Sequence, residues 1–139
     1  MTQLDERLRT LRVLQIVFLG SIILYAGLGE VLNGAEDGSI DQLLRNVITF
    51  VAGSSVVFLA VLRRNLLASA NDRLRTNPDD TEAIQKWYAG NFVTLVFGET
   101  ISLFGLVLRF LGAELAYAGV FYAAGAVVII ILSPRKPGA

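Results

Sequence analysis

Four long apolar blocks, separated by polar segments of unequal length, run through the chain at 13–32, 47–62, 87–111 and 115–132. Within each block the apolar residues are nearly continuous and are not confined to one helical face. That is the pattern of helices whose whole circumference meets an apolar environment. At 1.5 Å per residue, blocks of this size approach or match a ~30 Å hydrocarbon core. The expected fold is therefore all-α: an integral membrane four-helix bundle, with residues 1–139 forming one transmembrane domain.

The polar segments predict the helix ends. Leu4, Leu8 and Leu11 fall at helical spacing among Asp5, Glu6, Arg7, Arg9 and Arg12, which reads as an interfacial lead-in to the first helix. The first block is too long for a signal-peptide core, and no convincing cleavage site follows it, so it is expected to be retained. Ser39-Ile40-Asp41-Gln42 has the form of a capping box opening the second helix. Residues 65–75 lack proline and continue that helix beyond the apolar block. Asn77-Pro78-Asp79-Asp80 reads as a restart, with Asn77 as N-cap and Pro78 in the first turn. The second and third helices thus form one long hairpin with its tip at 63–86. Lys86, Trp87 and Tyr88 mark an interface, Gly112-Ala113 a tight turn, and Pro134 and Pro137 the end of the last helix.

Charge adds a topology. The net charge is zero, so nothing draws the chain to nucleic acid. Arg7, Arg9, Arg12, Arg63, Arg64, Arg73, Arg75, Lys86, Arg135 and Lys136 lie on one side of the spans, and only Arg45 and Arg109 on the other. The excess of bases predicts both termini and the hairpin tip in the cytoplasm, in a cell inner (plasma) membrane. Arg63, Arg64, Arg73 and Arg75 become candidates for contact with anionic lipid or a partner. Arg109 is expected to snorkel to headgroups or to pair with Glu114.

The chain has no His and no Cys. This removes thiol chemistry, the usual metal-ligand sets and the commonest general base, and no cofactor is implied. Asp79, Asp80 and Glu82 are explained as helix-start acids. A non-enzymatic role is expected.

What remains is one acid inside a block. Glu99 lies in Val96-Phe97-Gly98-Glu99-Thr100-Ile101-Ser102, and the nearest charges along the chain, Lys86 and Arg109, are ten or more positions away. A bare carboxylate at the centre of a span costs about 2.5–3.5 kcal/mol, and keeping its proton is the cheapest response. Two readings stand: an exchangeable proton or ion site, with Thr100 and Ser102 as supporting hydroxyls and Glu30 as a secondary acid, or a hydrogen-bonded acid joining helices. Ser54 and Ser55 are either partners for another helix or for Glu99, or ordinary close packing. Small-residue strips recur every seven residues at Gly20, Gly27 and Gly34 and at Gly98, Gly105 and Gly112. A shift of 78 residues superposes the two strips, as two hairpins from a duplication would.

The stretch Glu99-Thr100-Ile101-Ser102-Leu103-Phe104-Gly105-Leu106-Val107-Leu108, with Arg75-Thr76-Asn77-Pro78-Asp79 before it, resembles the carboxylate hairpin of the c subunit of rotary ATP synthases. Phe104 stands at that family's aromatic place and Gly105-Leu106-Val107 at its Gly-Leu-Val. The resemblance implies a Glu99 that binds and releases a proton within an oligomeric rotor. It covers the second and third helices. The second helix lacks the family's alternating glycines, with Ala52-Gly53-Ser54-Ser55 in their place, Arg75 is one position out of register, and the first and fourth blocks have no counterpart in a two-helix c subunit.

Three functions are weighed. The first is a small proton- or ion-handling protein of the lipid bilayer built on Glu99. The second is a non-catalytic accessory or assembly subunit, a homo-oligomer or a member of a larger membrane complex, packed through its glycine strips. A membrane enzyme is the weakest, because no nucleophile–base pair appears.

Overall fold

A computed structural model describes residues 2–33 and 40–137. Gly34 of the first strip and Ser39 of the expected cap lie outside them. The described residues form four helices and no strand: α1 (Gln3–Asn33), α2 (Gln42–Thr76), α3 (Thr81–Phe110) and α4 (Leu115–Ile131). With 31, 35 and 30 residues, α1, α2 and α3 reach about 45–52 Å. These three are long and apolar enough to cross a membrane. Helix α4 is wholly apolar in sequence but has 17 residues, which gives it about 25 Å.

Local chemistry sets each boundary. Thr2 and Asp5 cap α1 reciprocally: the Thr2 hydroxyl donates to Asp5 Oδ2 at 2.7 Å, and the Asp5 N–H donates back to Thr2 Oγ1 at 3.3 Å. Helix α2 is capped by Asp41, whose Oδ1 accepts from the Leu43 N–H at 2.9 Å. The restart is three residues later than the sequence reading had it. The Asn77 N–H still closes α2 on Arg73 O at 2.8 Å, and its side chain accepts from the Asp79 N–H at 3.2 Å. Asn77 is therefore occupied, Pro78 and Asp79 make the turn, and Asp80 opens α3 by accepting from the Ala83 N–H at 3.1 Å.

Helix α3 ends in a Schellman turn. The Gly112 N–H reaches Arg109 O at 3.1 Å and the Ala113 N–H reaches Leu108 O at 2.9 Å, with Gly112 at φ 93°. Only glycine adopts that backbone at little cost. Gly112 thus serves the turn and is no part of a packing strip.

Helix α3 is the hub. It packs closely on α4, α2 and α1; α1 also touches α4, while the α1 and α2 backbones do not approach each other among the described residues. Only 11% of the apolar window of α1, and of α2, is buried in the bundle, against 44% for α3. The outer faces of α1 and α2 are correspondingly apolar and open, with Ile16, Ile23, Val31, Phe50 and Val57 among their exposed residues. The closeness of α3 to α4 comes from Gly98, Gly105 and Gly125. Where a Cβ would stand on Gly105, the Ala118 carbonyl oxygen lies at 2.9 Å and Phe121 Cβ at 3.0 Å. Gly20 and Gly27 face nothing within 4 Å, and it is Gly29 that meets a neighbour on α1. The two halves are thus not packed alike: α3 and α4 form a tight hairpin and α1 and α2 do not, so the matched glycine spacing is not repeated as a matched hairpin.

The chain ends and the α2–α3 turn lie at one end of the bundle. Lys136 Nζ pairs with Asp5 Oδ1 at 2.8 Å, and the Arg7 guanidinium sits 4.9 Å from the centre of the Tyr88 ring. Leu4 and Leu11, read as an interfacial lead-in, belong to the buried cluster that holds Leu74, Ile84 and Trp87.

Candidate functional site

Two acids lie along the seam between α1 and α3, each facing a partner on the other helix. Glu99 is half-buried, and its Oε1 accepts a short hydrogen bond from the Tyr25 hydroxyl. Its other oxygen, Oε2, is buried and has no hydrogen-bond partner among the described residues. No cation is paired with it among the described residues. Tyr25 is the residue the sequence reading missed: a tyrosine inside an apolar block signals nothing until the helix crossing is known.

Ten positions along α3, the arrangement is ionic. Arg109 is 2% exposed. It donates from Nε to Glu30 Oε1 at 2.7 Å, from Nη2 to Glu30 Oε2 at 3.3 Å, and from Nη1 to the Ala113 carbonyl at 2.8 Å. This bidentate pair corrects the expectation for Arg109, which neither snorkels nor pairs with Glu114. The helix crossing brings Glu30 across the seam, and a guanidinium fork matches a carboxylate edge better than one headgroup contact would. Gly29 leaves the space for it: a Cβ there would stand 3.3 Å from Arg109 Cγ and 3.2 Å from the Tyr122 hydroxyl oxygen. That hydroxyl is itself buried and has no partner among the described residues.

The expected supporting hydroxyls do not join Glu99. Thr100 Oγ1 donates to Val96 O at 2.8 Å and Ser102 Oγ to Gly98 O at 3.2 Å, each on its own helix. Ser102 is fully buried against Gly125 of α4. Ser55 Oγ likewise returns to Val51 O at 2.8 Å, and Ser54 is exposed. These hydroxyls satisfy themselves locally, as Ser and Thr in helices often do.

The four arginines of the hairpin separate. Arg73 is held by Asp80 at 2.8 Å and by Glu82 at 3.3 Å, and Glu82 also pairs with Lys86 at 2.9 Å. The Ala83 N–H, and then the Arg73 guanidinium, hold the Asp80 carboxyl below the ordinary aspartate range. Arg64 and Arg75 are exposed. Arg63 lies half-buried beside a cavity of about 530 Å³ between α2, α3 and the segment after α4.

Among the described residues no three His, Cys, Asp or Glu side chains gather as a metal site would require. No protein-family model, curated protein or solved structure matches this chain. The likeness to rotary c subunits therefore rests on the residues quoted for it.

Proposed function

We propose that this chain is a small multi-span membrane protein that takes up and releases a proton, or a cation in its place, at Glu99. The observation that carries the reading is the setting of that carboxyl. One oxygen accepts from a phenol, the other is buried and meets no donor among the described residues, and the ion pair of the same seam, Arg109–Glu30, lies ten positions along α3. A carboxylate confined to such a site lacks the two or three donors that stabilise a buried charge. Its protonated form carries no charge to stabilise, and uptake and release of that proton is the proposed activity. Glu30 is assigned a different task, holding Arg109 in the seam, so the proposal is narrowed to Glu99 with Tyr25.

The same reading places α1, α2, α3 and the shorter α4 in a bilayer, with both chain ends and the 77–80 turn on the cytoplasmic side. The apolar outer faces of α1 and α2 and the excess of bases at that end support it. It would fit either a monomer or a rotor-like ring of c-subunit type.

Labelling with a hydrophobic carbodiimide across pH tests the proposal, with Glu99→Gln as control. Modification at Glu99 that fades as pH rises supports proton exchange. A folded protein that is not labelled at any pH overturns it. A second reading, an assembly subunit of a larger complex, is favoured by Gly20 and Gly27 on α1, small residues that meet nothing within 4 Å among the described residues. Co-purification of other chains unaffected by Glu99→Gln would favour it.

A further inference from the structure

A second concave site lies far from Glu99. It is the 530 Å³ cavity at the end of the bundle where the chain ends and the α2–α3 turn meet. Its polar lining is Arg63 and Asn71 of α2, Asn91 of α3, and Ser133 and Arg135 of the segment after α4; Trp87 and aliphatic side chains form the rest of the wall. No carboxylate lines it among the described residues. Asn91 is not free to serve a ligand, because its amide donates to Trp87 O at 2.9 Å. Arg63 is free: its Nε is buried, and no hydrogen-bond partner meets it among the described residues. A buried donor on a cation calls for an acceptor, and an anion is the acceptor that also answers the charge.

We propose that this cavity binds the phosphate group of an anionic ligand between Arg63 and Arg135, with the Asn71 amide and the Ser133 hydroxyl as neutral donors. The setting favours a phospholipid headgroup as the source. Arg63 ends the apolar block of α2, Trp87 begins that of α3, and Ser133 follows that of α4, so on the reading of these blocks as spans the site lies at headgroup depth. One feature opposes an anion there: the C-terminal carbonyls of α4 carry about half a negative charge. Two full guanidinium charges outweigh it.

Trp87 is the only tryptophan of the chain and is 2% exposed in the cavity wall, so its emission reports on the site. The full chain in neutral detergent is titrated with phosphatidylglycerol, with phosphatidylcholine and with inorganic phosphate. A saturable change with phosphatidylglycerol, at least tenfold weaker with phosphatidylcholine, is expected. Arg63→Gln is expected to weaken it about tenfold or more, as loss of a charge-assisted contact does. Arg64→Gln removes the same charge from an exposed neighbour and leaves it unchanged. Saturation by inorganic phosphate, in competition with the lipid, supports the site with the free anion as its source. No saturable change with any of the three, or equal loss from Arg64→Gln and Arg63→Gln, overturns the proposal. If Arg63→Gln fails to fold, Arg135→Gln, at an exposed position beyond α4, makes the same test. Glu99 takes no part, so the outcome is independent of the proton-exchange reading.

Discussion

Replacing Gly105 with alanine tests whether α3 and α4 are as close as described. The new methyl carbon would stand 2.9 Å from the Ala118 carbonyl oxygen and 3.0 Å from both Phe121 Cβ and Tyr122 Cε1. The first is backbone and the second is fixed to backbone, so no rotamer change relieves either. Ordinary carbon contacts begin near ~3.4 Å, so α4 must withdraw by about 0.5 Å. A gap of ~0.5–1 Å forfeits roughly a quarter to a half of each contact's dispersion energy, and overpacking of this kind costs about 1–3 kcal/mol. Gly27→Ala is the paired control, because nothing lies within 4 Å of the Cβ it would add. It keeps or slightly raises stability, since alanine favours a helix over glycine by up to about 1 kcal/mol. Reversible unfolding of the purified protein in mixed micelles reads both. Gly105→Ala as stable as the parent refutes the α3–α4 packing described. Equal losses from the two variants refute the assignment of the open face to α1.

Three further outcomes are expected. Glu30→Gln removes the carboxylate to which the buried Arg109 guanidinium donates twice and destabilises the bundle, and a double-mutant cycle with Arg109→Gln shows that the two losses do not add. Tyr25→Phe changes the pH profile of carbodiimide labelling at Glu99, whereas Thr100→Val and Ser102→Ala, whose hydroxyls serve their own helix, leave it unchanged. The turn at 77–80 loosens in acid: a depressed Asp80 stabilises fully above the ordinary aspartate value of about 3.9 and loses that contribution as pH falls below it, so amide protection at Ala83 declines only below about pH 4 in the parent and is already low in Asp80→Ala.

The helices were legible in the sequence because long apolar blocks and turn residues are local signals. The 77–80 turn was found but entered three residues early, because Asn77 and Asp80 are both good caps and only the Asn77 N–H bond back to Arg73 decides between them. The candidate site was legible by half. Glu99 was marked by its isolation, but its phenol partner is 74 residues away in sequence and Arg109's carboxylate 79 away. Glycine spacing fared similarly: Gly98 and Gly105 lie at a helix contact and Gly20 and Gly27 do not, because period alone does not say which face a neighbour covers.

That α3 touches every other helix while α1 and α2 stay apart bears on how the chain is made. During synthesis α1 and α2 emerge first, and their backbones do not approach each other among the described residues. The first half of the protein then lacks the helix on which both of them pack. Arrival of α3 supplies the docking face for both at once and brings Glu99 and Arg109 to Tyr25 and Glu30 in the same event. Assembly is therefore completed by the third helix, and a fragment ending at Thr76 lacks the surface that both helices share.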